Sequence, residues 1–407
     1  MRGQGGPMKI SLLSPDVSQN CMARAHLLYR MLSTEHEVEI VGPASAGQVW
    51  QPLRGNDEVA IRVIPQRSAR EMARHADGDL LYAVKPRPTS LGVALEARRH
   101  RNRPLLVDID DWESGFLYDD VMAMVRSGFR DETKWVAKVL LDVRSPNNAY
   151  RTALMERQVR KVDGVTATST WLAARYGGTV IVQSRDTSAL DPDLVDRESA
   201  RAALGISPHC TVLLFMGTPR RHKGLDKVLA ALDVLGRDDL LFLIVGGDPG
   251  LPQRPDLQVV GWQPYGGLTR FLSAADLVVV AQESTPGARG QMPTKAYDAM
   301  AMGRPVIASD VADLATTVEG CGLVVPPNDV PALAAAIATL ADDPGLRARL
   351  GAAGRRRCVE RYSDKAVRPR LLAALEAAAG GGPTLPTGGR QRASVERRSA
   401  TQTGDRR

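Results

Sequence analysis

MKISLLSPDVSQNCMARAHLLYRMLSTEHEVEIVGP, running from Met8 to Pro43, is the stretch that decides the fold class. Met8-Lys9-Ile10-Ser11-Leu12-Leu13 reads as a short buried strand. A polar loop follows from Ser14 to Asn20. From Cys21 the apolar residues recur at helical spacing, and VEIVGP (38–43) again reads as a strand. Strand, loop, helix, strand is a βαβ unit, which implies parallel strands joined by a right-handed crossover.

The same alternation runs outward along the chain. DLLYAV (79–84), RPLLVDID (103–110), GVTATS (164–169) and TVIVQS (179–184) read as strands, with helical spacing in 90–101 and near 150–162. Residues 186–198, DTSALDPDLVDRE, are polar and turn-rich and are expected to be an interdomain linker. A second alternating half starts at TVLLFMG (211–217). It continues through LLFLIVGG (240–247), LQVVGW (257–262), LVVVAQ (277–282), RPVIAS (304–309) and GLVVP (322–326), with helices between them. The expectation is an α/β protein of two tandem Rossmann-like, doubly wound domains, 8–185 and 199–362, with a cleft between them. Residues 1–7 are expected to be a flexible leader and 380–407 a disordered basic tail.

Composition bounds the function. The chain has 407 residues, 43% of them hydrophobic and 24% charged, which suits more than one globular core. No apolar run is long enough to cross a bilayer, and MRGQGGPMKISLLSP lacks the apolar segment of a secretory signal. Cys21, Cys210, Cys321 and Cys358 are far apart, without a CxxC pair, so a disulfide framework is not expected and a cytoplasmic setting is. The formal charge is +7, but the tail from Gly381 holds six arginines against two acids, +4 of that total. The remainder does not indicate a nucleic-acid partner.

Two glycine-containing segments bear anion-binding features. GTPRRHKG, Gly217 to Gly224, joins a strand to a helix and places Arg220, Arg221 and Lys223 at the strand's carboxyl end. It lacks the spacing of a P-loop. GARGQMPTKAYDAMAMGRPVIAS, 287–309, brings Gly290 just ahead of a helix beginning near Thr294. Unpaired amides and the helix dipole favour a diphosphate there. Thr294 can cap the helix or donate to a phosphate, Lys295 adds charge, and Asp298 lies one turn on, where it can accept from a ribose. In the first half, LLVDIDDWE (105–113) clusters acids at a strand end. Asp108 and Asp110 have the spacing of a metal-holding pair, Asp110 and Asp111 can face the cleft, or the acids can cap the strand end; the residues alone allow all three. The polar loop containing Asp16, and Lys85 in YAVKPRP, also sit at strand ends. The basic run RRHRNR (98–103) is either a solvated helix end or a contact with anionic lipid.

Across Met8 to about Ala379 the order of these features resembles the nucleotide-sugar glycosyltransferases of family 4, which have the GT-B fold. FMGTPRRHKGLDKVLAAL, LLFLIVGGDP, PTKAYDAMAMGRPVIASD and GLVVPPNDVPALAAAI carry the resemblance most specifically. It implies a glycosyltransferase that retains anomeric configuration, with an N-terminal acceptor domain and a C-terminal donor domain. It implies that Gly217, Arg220, Lys223, Gly290, Thr294 and Lys295 bind the donor diphosphate. Asp298 would contact the ribose and Glu283 the sugar. Lys223, Asp110 and Asp111 are the expected catalytic residues, and Asp16 and Lys85 the acceptor side. Residues 363–379 would form a helix crossing back to the first domain. Two positions depart from the family pattern: Thr218 stands where an Arg is common, and Gly290 where a Glu is common. The segment matches the family's Pro-x-Lys-x-x-acid variant through Pro293, Lys295 and Asp298. The expected partners are a nucleotide-sugar donor and an acceptor that is a saccharide, a lipid at the membrane face or a small molecule. No metal or other cofactor is expected. A nucleotide-sugar epimerase and a non-catalytic nucleotide-sugar-binding protein are the alternatives on the same architecture.

Overall fold

The computed structural model describes residues 6–126, 145–247 and 250–381. The expected leader (but for its last two residues) and the expected tail beyond Gly381 lie outside them. Two parallel sheets follow one another along the chain. The first has seven strands in the order β3-β2-β1-β4-β5-β6-β7. These are β1 Lys9–Leu13, β2 Glu37–Pro43, β3 Ile61–Ile64, β4 Leu80–Val84, β5 Leu105–Ile109, β6 Gly164–Ala167 and β7 Thr179–Val180. The second has six in the order β10-β9-β8-β11-β12-β13, from β8 Thr211–Met216, β9 Leu240–Val245, β10 Leu257–Val260, β11 Leu277–Val280, β12 Val306–Ser309 and β13 Gly322–Val325. Both orders reverse direction beside the first strand, β1 or β8. That is the switch point where ligands bind in open α/β sheets.

The central strands are apolar on both faces because helices cover both. Every residue of β4, β5 and β8 is buried. The quoted stretch folds as read: β1, then helix α1 (Met22–Leu32), then β2 in parallel register with β1. Two departures from the sequence reading have physical causes. β3 escapes it because four residues, three of them partly or fully out of the core, leave no strong pattern. TVIVQS gives only a two-residue β7. The carbonyls of Ile181 and Val182 accept instead from the buried Arg24 guanidinium, at 2.7 and 3.1 Å. Within the polar segment expected as linker, Asp196 caps a helix that already begins at Arg197.

Near the end of the described chain, a helix spans Asp364–Ala379. Ser363 caps it, its hydroxyl accepting from the Ala366 amide. Val367, Leu371, Leu375 and Ala378 are buried in the same cluster as Ile10, Leu12 and Tyr82. The last helix of the described chain thus completes the core under the first sheet. Gly164 in β6 lets it approach, since a Cβ there would lie 3.3 Å from Ala378.

Candidate active site

A cavity of about 250 Å³ lies between the carboxyl ends of the two sheets. Its second-half wall begins where β8 ends. Gly217 has φ 118° and Gly246, at the end of β9, has φ 145°, both forbidding to side chains. A Cβ on Gly246 would fall 2.3 Å from the Gly217 carbonyl, so the two strand ends cross with no side chain between them. This leaves backbone open to the cavity. The basic turn then closes on Gly224, φ 66°, where a Cβ would strike the Ala281 carbonyl at 2.0 Å. Arg220 and Lys223 reach the cavity from this turn.

The opposite part of that wall is the start of the helix Thr294–Ala301, with Pro293 at its N-cap and no side chain capping it. The Thr294 hydroxyl makes no hydrogen bond among the described residues and lines the cavity. Lys295 is 6% exposed, with its ammonium 3.7 Å from the centre of the Phe215 ring. Burial, with Lys223 adding to it, holds the Lys295 ammonium well below its usual range. Burial likewise pulls Lys223 down to about 8, against the partial support of Asp111. Two lysines are thus desolvated in one cavity at the foot of an uncapped helix. An anion placed there would offset both penalties.

Asp298 lines the same cavity, but its carboxylate is bonded to the Arg185 guanidinium, which also donates to the Thr294 carbonyl at 3.1 Å. Arg185 belongs to the first half, so this contact joins the two.

The first-half wall carries Asp110 and Asp111, just past β5. Both are held by Lys85, whose ammonium lies 2.9 Å from Asp110, 2.6 Å from Asp111 and 2.9 Å from Glu113. Glu113 also takes Arg87 at 2.5 Å. Lys85 adopts φ 63°, a left-handed conformation disfavoured for a side-chain-bearing residue. The strand-end backbone imposes it: the Lys85 amide donates to the Asp108 carbonyl and its carbonyl accepts from Ser90. Burial would lower the Lys85 ammonium, but its three carboxylates hold it well above the usual range. Burial would raise Asp111, but Lys85 and Gln291 hold it low. For Asp110, burial outweighs Lys85 and pushes the carboxyl up to about 6. Its Oδ1 sits at ion-pair distance from Lys85 but off hydrogen-bond geometry, and no described residue donates a hydrogen bond to this carboxylate.

One residue spans the two walls. Gln291 accepts from the Lys223 ammonium and donates to Asp111 at 3.0 Å. Around it the halves are pinned by Asp119, which accepts from Thr285 (2.7 Å) and the Gly287 amide (2.9 Å), and by Asp313, which accepts from the Thr170 hydroxyl (2.6 Å) and amide (2.7 Å).

The expected site residues are therefore divided. Gly217, Arg220, Lys223, Thr294, Lys295, Asp298, Asp110 and Asp111 converge on one cavity. Four residues do not line it. Asp16 is spent on Ser18 and Ser45, tying two loops together. Lys85 lies beneath the acids that do face the cavity. Glu283 stands 3.9 Å from Lys227 behind the basic turn. Gly290 is a packing residue, its carbonyl accepting from Ser169 and a Cβ there falling 3.0 Å from Leu172. Asp108 is fully buried and taken bidentately by Arg24 at 2.9 Å, with Thr166 donating at 2.6 Å, which leaves it no oxygen to share with Asp110 around a metal. The sequence reading missed Gln291, Arg185, Glu113 and the cavity aromatics Trp50 and Trp262. Gln291 and Glu113 lay inside segments already singled out and Trp262 at the end of a strand that had been read; Arg185 and Trp50 gave no local signal.

Residues 210–343 match the family model described as Glycosyl transferases group 1. The chain is 32% identical over 244 residues to the D-inositol 3-phosphate glycosyltransferase of Rhodococcus jostii, a match covering 52% of each chain. It spans about half the length of the curated relatives it matches. Among solved structures, an Anabaena protein, HepE, in complex with UDP-glucose superposes with a TM-score of 0.68 at 17% identity, covering 91% of this chain and all of that one. Sucrose-phosphate synthase from Thermosynechococcus elongatus gives 0.67 at 21%, covering 91% of this chain and 99% of its own. At these identities the likeness establishes the fold, a two-domain GT-B arrangement of Rossmann-like units.

Proposed function

We propose that the protein transfers a glycosyl group from a nucleotide-diphosphate sugar to an acceptor hydroxyl, with retention of configuration and without a metal. One observation carries the reading: the buried Lys295, the half-buried Lys223 and an uncapped helix N-terminus face the same cavity, with no carboxylate bonded to either lysine. The match of residues 210–343 to a glycosyltransferase model supports it, as does a fold neighbour, HepE, with UDP-glucose bound. The diphosphate would lie against Arg220, Lys223, Thr294 and Lys295. The apolar end of the cavity, Val245, Trp262 and Leu268, would take the base. Asp298, already oriented by Arg185, would accept from the ribose.

In the reaction the bond from C1 to the diphosphate oxygen breaks, and its electron pair leaves with the diphosphate. The acceptor oxygen bonds to C1, and its proton passes to a diphosphate oxygen. Negative charge grows on the leaving group where the lysines and helix amides already point, so no reorganisation is needed at that moment. Those fixed positive groups do the work a divalent ion would otherwise do. Asp110 would hold the acceptor hydroxyl by accepting its hydrogen bond. Gln291 would set the distance between the two walls, and closure would exclude water that competes for C1.

Thermal unfolding with UDP, GDP, ADP and dTDP tests the donor assignment. One nucleotide raises the melting temperature by mass action, and Lys223→Ala abolishes the shift. No shift with any of the four, with or without magnesium, sinks the reading.

A further inference from the structure

We propose that the acceptor is a phosphate-free polyol that presents a protonated amine beside its reacting hydroxyl to the Asp110 wall. The inference rests on the glycosyl-transfer reading and adds the class of its second substrate. The two walls of the cavity carry opposite charge. On the donor wall Arg220, Lys223 and Lys295 are unmatched by carboxylates of their own side. On the facing wall every described cation is spent. Arg24 lines the cavity, but its guanidinium is committed to Asp108 and to two backbone carbonyls. Lys85 and Arg87 are shared among Asp110, Asp111 and Glu113. Two cations against three carboxylates leave that wall one negative charge in excess.

The excess is not diffuse. Asp111 has Gln291 and Lys85, and Glu113 has Lys85 and Arg87. Asp110 has Lys85 alone, 2.9 Å from an Oδ1 that is closed to solvent, and its side chain lines the cavity at 12% exposure. With one partner where its neighbours have two, this carboxylate keeps acceptor capacity for a ligand in the cavity. An ammonium meets it with a charge-assisted bond, and a hydroxyl meets it more weakly. A phosphate would instead face two carboxylates across a few ångströms of desolvated space. Trp50 and Asn20 share this wall. They supply a flat apolar surface and an amide, the usual partners of a polyol ring.

The test is calorimetric titration of the full chain at pH 7.5, saturated with whichever of UDP, GDP, ADP or dTDP raised its melting temperature. Three ring compounds are compared: streptamine, which carries two amines, myo-inositol, which carries no charge, and inositol 3-phosphate. We expect streptamine to bind at least tenfold more tightly than myo-inositol, and inositol 3-phosphate at least tenfold more weakly. Asp110→Asn should erase most of the streptamine advantage, and the nucleotide titration on the same variant reports that it is folded. Inositol 3-phosphate binding as tightly as myo-inositol overturns the proposal, as does equal binding of streptamine and myo-inositol. If none of the three binds while the nucleotide does, the acceptor assignment fails and the donor assignment stands. If the nucleotide does not bind either, both fail.

Discussion

Asp110 and Lys223 face each other's walls with shifted ionisation in opposite senses, and together they set a pH window. Asp110 must be ionised to accept from the acceptor, so activity falls as pH drops through about 6. Lys223 must be charged to hold the diphosphate, so activity falls as pH rises through about 8. The expected kcat/KM profile of the free enzyme is a bell with limbs near these values, and Asp110→Asn removes the acid limb. A profile flat from pH 5 to 9 would contradict both assignments. Asp108 has a different task. It neutralises a fully buried Arg24, so Asp108→Ala should cost about 3–5 kcal/mol in urea unfolding by leaving that charge unpaired. The residues legible in sequence were those whose signal is local. Arg220 and Lys223 stand in one turn, and Thr294, Lys295 and Asp298 in one helical turn and its flank. Arg185 was illegible because its partner lies 113 residues away. Lys85 was misread because its position at a strand end says nothing of the three carboxylates that cover it.

At the level of elements, the helix Asp364–Ala379 binds the first sheet through a narrow apolar stripe. Leu371 sits at its middle with no exposure. Leu371→Ala should cost about 2–5 kcal/mol, measured by denaturant unfolding, because the sheet cannot collapse to fill the space. Leu372 is only half-buried beside it, and Leu372→Ala should cost much less. Strands were readable where both faces are covered, as in β8 and β9, since burial on two sides writes a continuous apolar run. β3 was not, because an edge strand needs only part of that pattern, and β7 was read too long because Arg24 takes the carbonyls that would have extended it. The start of the helix Thr294–Ala301 was readable from Pro293 and the glycines before it.

For the whole molecule, the closeness of the two halves depends on residues without side chains. A Cβ on Gly287 would lie 2.6 Å from both Asp119 and Phe116 of the other half. Gly287→Val should push the halves apart, enlarge the radius of gyration in small-angle scattering and lower transfer at least tenfold. Nucleotide binding, which uses one half, should change little. An unchanged scattering curve with full activity would show that the halves do not close through this contact. The tandem arrangement was legible because the strand–helix alternation occurs twice, but the contacts between the halves were not, since no periodicity records which loops meet. The helix Asp364–Ala379 has one more consequence, in the order of synthesis. The first sheet is laid down by Val180, yet the stripe that seals its underside is not made until Ala379. At about 5–20 residues per second a ribosome needs on the order of tens of seconds to cover that interval. Throughout it, Ile10, Leu12 and Tyr82 lie under an unfinished roof, so the nascent chain must be shielded by a chaperone or wait, half-folded, for the helix Asp364–Ala379.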